Sequence, residues 1–267
     1  MFLHNINPVA LTLGPLEIRY YGLVYFIGFI FAYFYLRHQI KKSRIKHLKY
    51  EDLDTYMIYF MLGSIIGARV LDFVFYNPQI ILTDPAQLIK VWQGGMSIHG
   101  GIIGAMLAGW IFTRKRKVKF YELADQTIIP LMIFLGLGRI ANFINGELWG
   151  TPTTSNICID YSQNTHIINP PEGCRHPYQL YESIKNFAVG ISLLIFTQYK
   201  KLKQGLLFWW GILLYNILRF FIDFYREQTL INGLGVGQYL CIIFSIISII
   251  CIIKIEKEEK NKKIKHK

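Results

Sequence analysis

The chain is poor in acid, in cysteine and in the polar stretches of a soluble domain. Its 17 Asp and Glu face 29 Lys and Arg, for a formal net charge of +12. Four cysteines are too few for a disulfide-dense scaffold, and none stands at a spacing that would hold a metal. Cys241 and Cys251 lie in an apolar run and read as packing residues. Cys158 and Cys174 share one loop and can pair in an oxidising compartment. The first 17 residues have no Lys or Arg and no cleavage pattern, so no removable signal peptide is expected. No internal repeat is visible.

What the chain has is apolar length. Hydrophobic residues make up 52% of it, and its mean hydropathy is +0.30. Seven runs reach the length of a membrane span: roughly 20–36, 53–74, 96–113, 123–143, 181–198, 205–224 and 235–253. Backbone groups in lipid must bond internally, so these runs predict helices and an all-α integral membrane protein. The expectation is one polytopic membrane domain over 1–267, with seven transmembrane helices.

The excess positive charge is not spread evenly. Six Lys and Arg fall in 37–50, five in 114–119, three in 200–203 and seven in 254–267. These segments follow the first, third, fifth and seventh runs. The positive-inside rule then puts the N-terminus outside and the C-terminus in the cytoplasm. Nucleic-acid binding would need the cations on one face beside aromatic readers, and the sequence has no such grouping. Arg19, Lys90, Arg175 and Lys185 read as cations in or beside the opposite loops. The loop 144–180 is the longest outward segment, with Pro152, Pro170, Pro171 and Pro177, and is expected to form a cap. The Lys/Glu tail 254–267 reads as a solvated, partly disordered cytoplasmic end.

Charged residues inside such spans are costly and point to function. Gly138–Gly150 reads G-R-I-A-N-F-I-N-G-E-L-W-G, with Arg139, Asn142 and Glu147 at the end of an apolar stretch. Tyr20, Tyr21, Arg69, Asp72, His99, Arg139, Asn142, Tyr181, Glu182, Arg219, Asp223 and Arg226 all fall towards the outer ends of their runs, which predicts one polar cavity at outer-leaflet depth. Arg139 and Asn142 are i, i+3, and Arg219, Asp223 and Arg226 are i, i+4, i+7, so each set is expected on one helical stripe. Asp223 can pair with Arg219 or Arg226, either as a structural ion pair or to aim a guanidinium. Two arginines facing one cavity suit an anionic ligand, because guanidinium grips phosphate bidentately. His99, among Gly94, Gly95, Gly100, Gly101 and Gly104, is either a structural residue or a general base. The same glycines also suit plain helix packing.

The segment Gly138–Gly150 resembles the signature of the bacterial prolipoprotein diacylglyceryl transferases. The resemblance extends over nearly the whole chain. It includes Tyr21-Gly22, G-A-R ending at Arg69, G-G-M-S-I-H-G-G with His99, H-P-Y-Q-L-Y-E from His176 to Glu182, R-F-F-I-D-F-Y-R from Arg219 to Arg226, and Gly237-Gln238. Three departures stand out: Leu71-Asp72 in place of Gly-Tyr, Asp223 in place of Glu, and Glu-Gln after Arg226 in place of a Pro-Asp segment.

The resemblance implies transfer of the diacylglyceryl group of phosphatidylglycerol to the lipobox cysteine of a prolipoprotein, with release of glycerol phosphate. It implies an inner-membrane location in a bacterium, with the site facing the outer leaflet. His99, Arg139, Arg219 and Tyr21 are the expected catalytic residues. Arg139, Asn142, Glu147, Gly150, Arg219, Asp223, Arg226 and Arg69 are the expected substrate-binding residues. Glu147 is expected to orient an arginine. The thiolate is generated either by His99 as base or by the arginine field alone. Neither metal nor cofactor is expected. An anion or lipid transporter using the same cavity is the rival reading; it predicts inverted repeats and access from both sides.

Overall fold

The structure, a computed structural model, describes residues 1–14, 16–76, 78–90, 96–199 and 202–265. Gly94, Gly95 and the His99 side chain, all part of the expected site, lie outside what is described. The protein is mostly helical: α1 (Tyr20–Lys41), α2 (Tyr50–Tyr76), α3 (Pro78–Thr83), α4 (Ile98–Arg116), α5 (Phe120–Asn145), α6 (Tyr178–Tyr199), α7 (Leu206–Ile222) and α8 (Val236–Lys265). Six of these, α1, α2, α5, α6, α7 and α8, are long and apolar enough to cross a membrane. The protein is therefore a polytopic helical membrane protein. The expected third span corresponds to α4, which is not among the six: it has 19 residues and ends in Arg114, Lys115 and Arg116.

Two compact units share the chain: Met1–Phe34 with Ala124–Lys267, and Tyr35–Leu123. The second unit is built on α2 and α4, whose contact is a small-residue seam. A Cβ on Gly67 would strike the Gly100 carbonyl, and one on Gly104 would strike the Gly63 carbonyl. Glycine at i and i+4 on both helices lets the backbones touch, which is how helices associate where lipid offers no hydrophobic drive. Between Gly100 and Gly104, packing is therefore the use the structure shows.

In the first unit, α5, α6 and α7 approach in the same way. A Cβ on Gly136 would lie 2.9 Å from the Phe187 ring, one on Gly190 2.9 Å from Ile133, and one on Gly211 2.6 Å from Ile128. Ser183 Oγ also donates to the Gly136 carbonyl at 2.9 Å. These contacts bring the polar ends of the three helices together.

The loops carry short ladders. β1 (Phe2–Leu3) pairs in parallel with β4 (Ile159–Asp160), which pairs antiparallel with β5 (Cys174–Arg175). The hairpin of β2 (Val9–Leu13) and β3 (Leu16–Arg19) precedes α1, and β6 (Leu230–Ile231) with β7 (Leu234–Gly235) precedes α8. Segment 144–180 is thus tied to the N-terminal strand, and a Cys158–Cys174 disulfide closes it. His4, fully buried, fixes the join. One ring nitrogen meets the Phe143 carbonyl at 2.7 Å, and the other meets the Asn164 amide nitrogen at 2.7 Å. An amide nitrogen only donates, so Nδ1 accepts and Nε2 carries the proton.

One expectation needs correction. The tail is not irregular: α8 runs to Lys265. Its Lys and Glu are good helix formers and stand at i, i+4 spacings such as Lys254–Glu258. Lys185, expected in or beside the outward loops, lies within α6 and is 4% exposed; α6 starts at Tyr178, three residues before the expected 181.

Candidate active site

Most of the expected residues meet in the first unit. Arg139 and Asn142 lie on α5, one turn apart, and Arg139 Nη1 donates to Asn142 Oδ1 at 3.4 Å. The Asn142 amide nitrogen donates in turn to Tyr21 Oη at 3.4 Å and to Glu147 Oε2 at 3.2 Å. Tyr21 comes from the first turn of α1, and its hydroxyl also accepts from Tyr25 at 3.2 Å. Glu147 Oε1 accepts from Asn145 at 2.9 Å. The Glu147 carboxylate thus holds the Asn142 amide nitrogen, and the amide oxygen faces Arg139.

Arg219 stands near the end of α7. Its Nε lies 3.4 Å from Asp223 Oδ2, and its Nη1 donates to Tyr215 Oη at 2.7 Å. Of the two partners open to Asp223, the structure thus selects Arg219. The other carboxylate oxygen accepts from Tyr178 Oη at 2.6 Å. The i, i+4, i+7 stripe breaks before Arg226. α7 stops at Ile222, a 3-10 turn covers Asp223–Tyr225, and Arg226 is extended at φ −92° and ψ 134°. Its side chain stacks at 5.9 Å over the Tyr178 ring, and its Nε is buried without a hydrogen-bond partner.

Extended backbone at Arg226 has a consequence, since it pairs antiparallel with Gly150. The Thr151 amide donates to the Tyr225 carbonyl at 2.9 Å, and the Glu227 amide to the Trp149 carbonyl at 3.1 Å. Gly150 also abuts His176, so a Cβ there would strike the His176 carbonyl. Its part in the site is backbone approach, joining the end of the signature to the end of α7.

Between the arginines lies a pair, Glu182 and Lys185, whose contact with each other the sequence reading did not give. Glu182, fully buried on α6, has Oε2 3.4 Å from Arg139 Nε and Oε1 2.7 Å from Lys185 Nζ. Lys185 Nζ also sits 4.0 Å from the centroid of the Tyr215 ring. Arg139, Glu182, Lys185, Tyr215 and Arg219 form one connected chain across α5, α6 and α7. Within this chain of described residues three cations, Arg139, Lys185 and Arg219, face two carboxylates, Glu182 and Asp223, so one positive charge remains over in it. Glu182 was legible by its depth and as the last residue of the H-P-Y-Q-L-Y-E motif, and Lys185 as a cation outside the cytoplasmic segments; only its i+3 spacing from Glu182 hinted that the two would pair.

Two expected residues belong to the second unit. Arg69, 5% exposed on α2, donates through Nη2 to the carbonyls of Gln87 (2.6 Å) and Lys90 (2.9 Å). Its guanidinium also lies 4.6 Å from the centre of the Phe73 ring. It pins the segment after α3 to α2. His99 is in the first turn of α4, which Ser97 caps by accepting from the Gly100 amide at 3.4 Å.

Buried guanidinium groups with one uncompensated charge, set among membrane-spanning helices, define a membrane protein with a cationic site inside its helical body. The comparisons with known proteins make the class specific. Residues 8–254 match the family model described as prolipoprotein diacylglyceryl transferase. The phosphatidylglycerol–prolipoprotein diacylglyceryl transferase of Bordetella avium is 38% identical over 243 residues, covering 89% of this chain and 90% of the relative. The like-named protein of Ehrlichia ruminantium (strain Gardel) is 37% identical over 252 residues, covering 91% and 94%. That of Geobacter sulfurreducens is 38% identical over 237 residues, covering 88% of each. The chain belongs to the prolipoprotein diacylglyceryl transferase family.

Proposed function

We propose that this chain transfers the diacylglyceryl group of phosphatidylglycerol to the lipobox cysteine of a prolipoprotein in the bacterial inner membrane, the first step of lipoprotein maturation. The observation that carries the reading is the link between Arg139 and Arg219 through Glu182, Lys185 and Tyr215, with one positive charge in excess. The donor's phosphodiester carries one negative charge and matches it.

In the reaction the cysteine sulfur attacks the glycerol carbon that bears the phosphate ester. The S–C bond forms, the C–O bond breaks, and its electron pair stays on the phosphate oxygen. The leaving glycerol phosphate thereby gains a second negative charge. Arg139 and Arg219 stabilise that gain, an effect strengthened by exclusion of water. The thiol proton goes to His99 as base, or is released under the arginine field. Tyr21, Asn142 and Glu147 hold the headgroup side of the site. Asp223 and Arg226 fix the end of α7, and Gly150 lets the cap close on it. Arg69 acts by pinning the segment that contains Gln87 and Lys90.

The topology belongs to the same reading: seven spans with α4 as the third, N-terminus outside, C-terminus cytoplasmic, one polytopic domain over 1–267, and the site at outer-leaflet depth under the 144–180 cap. The basic segments after alternate spans support it.

The test is a reconstituted assay with acyl-labelled phosphatidylglycerol and a lipobox peptide. Wild type moves label to the peptide thiol, and folded Arg139→Ala and Arg219→Ala lose it by about 10²-fold or more. His99→Gln separates base from field. Folded wild type that moves no label overturns the proposal.

A further inference from the structure

We infer that Lys185 is a positioning residue that keeps Arg139 available to the phosphate by competing with it for Glu182. This rests on the donor-binding role given above to Arg139.

A buried arginine beside a buried carboxylate ordinarily closes into a two-bond fork, which occupies the guanidinium edge that would grip phosphate. That fork is absent here. Lys185 Nζ takes Glu182 Oε1 at 2.7 Å, a short charge-assisted hydrogen bond. Glu182 Oε2 is left 3.4 Å from Arg139 Nε and makes no hydrogen bond. The pair with Arg139 is a loose one through Nε, and among the described residues the outer edge of the guanidinium donates only to Asn142, at 3.4 Å.

Lys185 itself, with a side chain 2% exposed, is enclosed and does not meet the bilayer. It packs on Tyr215, whose hydroxyl accepts from Arg219. It thus touches the partners of both arginines and neither arginine directly. It is also the cation that puts the cluster in surplus: without it, two arginines face two carboxylates.

The consequence is specific. Replacing Lys185 with an uncharged side chain of similar length lets Glu182 turn both oxygens to Arg139. The donor must then displace an internal carboxylate, and its affinity falls while the chemical step, once the donor is seated, changes little. Removing the Glu182 charge as well frees Arg139 again. A merely structural lysine predicts the reverse order, since a second lost polar group costs more.

The experiment measures phosphatidylglycerol retention by native mass spectrometry of protein released from nanodiscs, beside KM and kcat in the transfer assay. The variants are Lys185→Met and Lys185→Met/Glu182→Gln. Lys185→Met is expected to weaken donor binding and raise KM about 10-fold, with kcat within about 3-fold. The double variant is expected to return to near wild-type donor binding. Unchanged donor binding by folded Lys185→Met overturns the inference, as does a folded double variant that binds no better than the single one. If Lys185→Met does not fold, the double variant decides: it carries no unpaired buried charge from this pair, so wild-type binding supports the inference and lost binding overturns it. Retention is read without transfer, so an inactive wild type would count against the proposed reaction and leave the binding result standing.

Discussion

Asp125, on α5, caps the start of α7. Its carboxylate accepts from the Gly205 amide at 2.7 Å and from the Phe208 amide at 2.8 Å. The first amides of a helix have no partner within it, and a carboxylate there also meets the positive end of the helix dipole. Gly205, at φ 90°, supplies the left-handed turn that admits the chain to this position. One side chain thus ties the helix that carries Arg139 to the helix that carries Arg219, at the end remote from both. Asp125→Ala is expected to cost about 2 kcal/mol of stability. It is also expected to reduce transfer while the arginines remain intact. Thermal unfolding in detergent beside the transfer assay checks both; an unchanged midpoint would contradict the cap.

Charge alone does not account for the arginines. Arg219 uses Nε towards Asp223 and Nη1 towards Tyr215, a fork that an ammonium cannot reproduce. Arg219→Lys keeps the charge and is expected to lose transfer by about 10²-fold. Activity within a few-fold of wild type would show that only the field of the cation matters.

His4 makes the cap sensitive to acid. Burial holds its pKa below the ordinary 6.5, since the enclosed ring resists a proton. The folded state then binds fewer protons than the unfolded state. The His4 contribution to stability is full above 6.5 and is lost as pH falls through the lowered folded-state value. Hydrogen exchange at residues 2–4 and 159–164 is expected to quicken on mild acidification. His4→Phe, which cannot titrate, should flatten that dependence, and a dependence that survives the substitution would assign it elsewhere.

The disulfide is a second tie on the same cap. Cys158 and Cys174 are separated by 16 residues, and a loop of that size is stabilised by about 3 kcal/mol in the chain-entropy account. Joint replacement by serine is expected to lower the unfolding midpoint and to expose β4 and β5 to protease, with the membrane helices still protected. Limited proteolysis mapped by mass spectrometry reads this out.

In the second unit the α2–α4 seam has no room. Gly104→Val would drive a branched side chain into the Gly63 carbonyl, and the expected cost is about 1–3 kcal/mol. A smaller loss from the same substitution at Gly109, which has nothing within 4 Å of its Cβ position, serves as the control in the same helix.

The helices, and which polar residues stand within them, were legible because they rest on local physics. Long apolar runs in a membrane protein must be helical, and an arginine at 139 or 219 inside one needs a reason to be there. The i, i+3 relation of Arg139 and Asn142 holds because both lie within α5. The i, i+7 relation of Arg219 and Arg226 fails because the helix ends between them. Helix ends depend on what the next residues find to pair with, and here Arg226 finds Gly150, 76 positions away in the chain.

The sequence by itself determined the class of molecule: a polytopic helical membrane protein, its excess basic charge grouped after alternate apolar runs, with arginines placed where lipid would not tolerate them idle. Tertiary structure decided which groups those arginines meet. Glu182 pairs with Arg139, Tyr215 and Asp223 with Arg219, and Lys185 comes between the two sets. Burial cost depends on one residue and its neighbours in the chain, so it can be read along a line. Ion-pair partners depend on distances between α5, α6 and α7, and those are set by how closely Gly136, Gly190 and Gly211 let the helices approach.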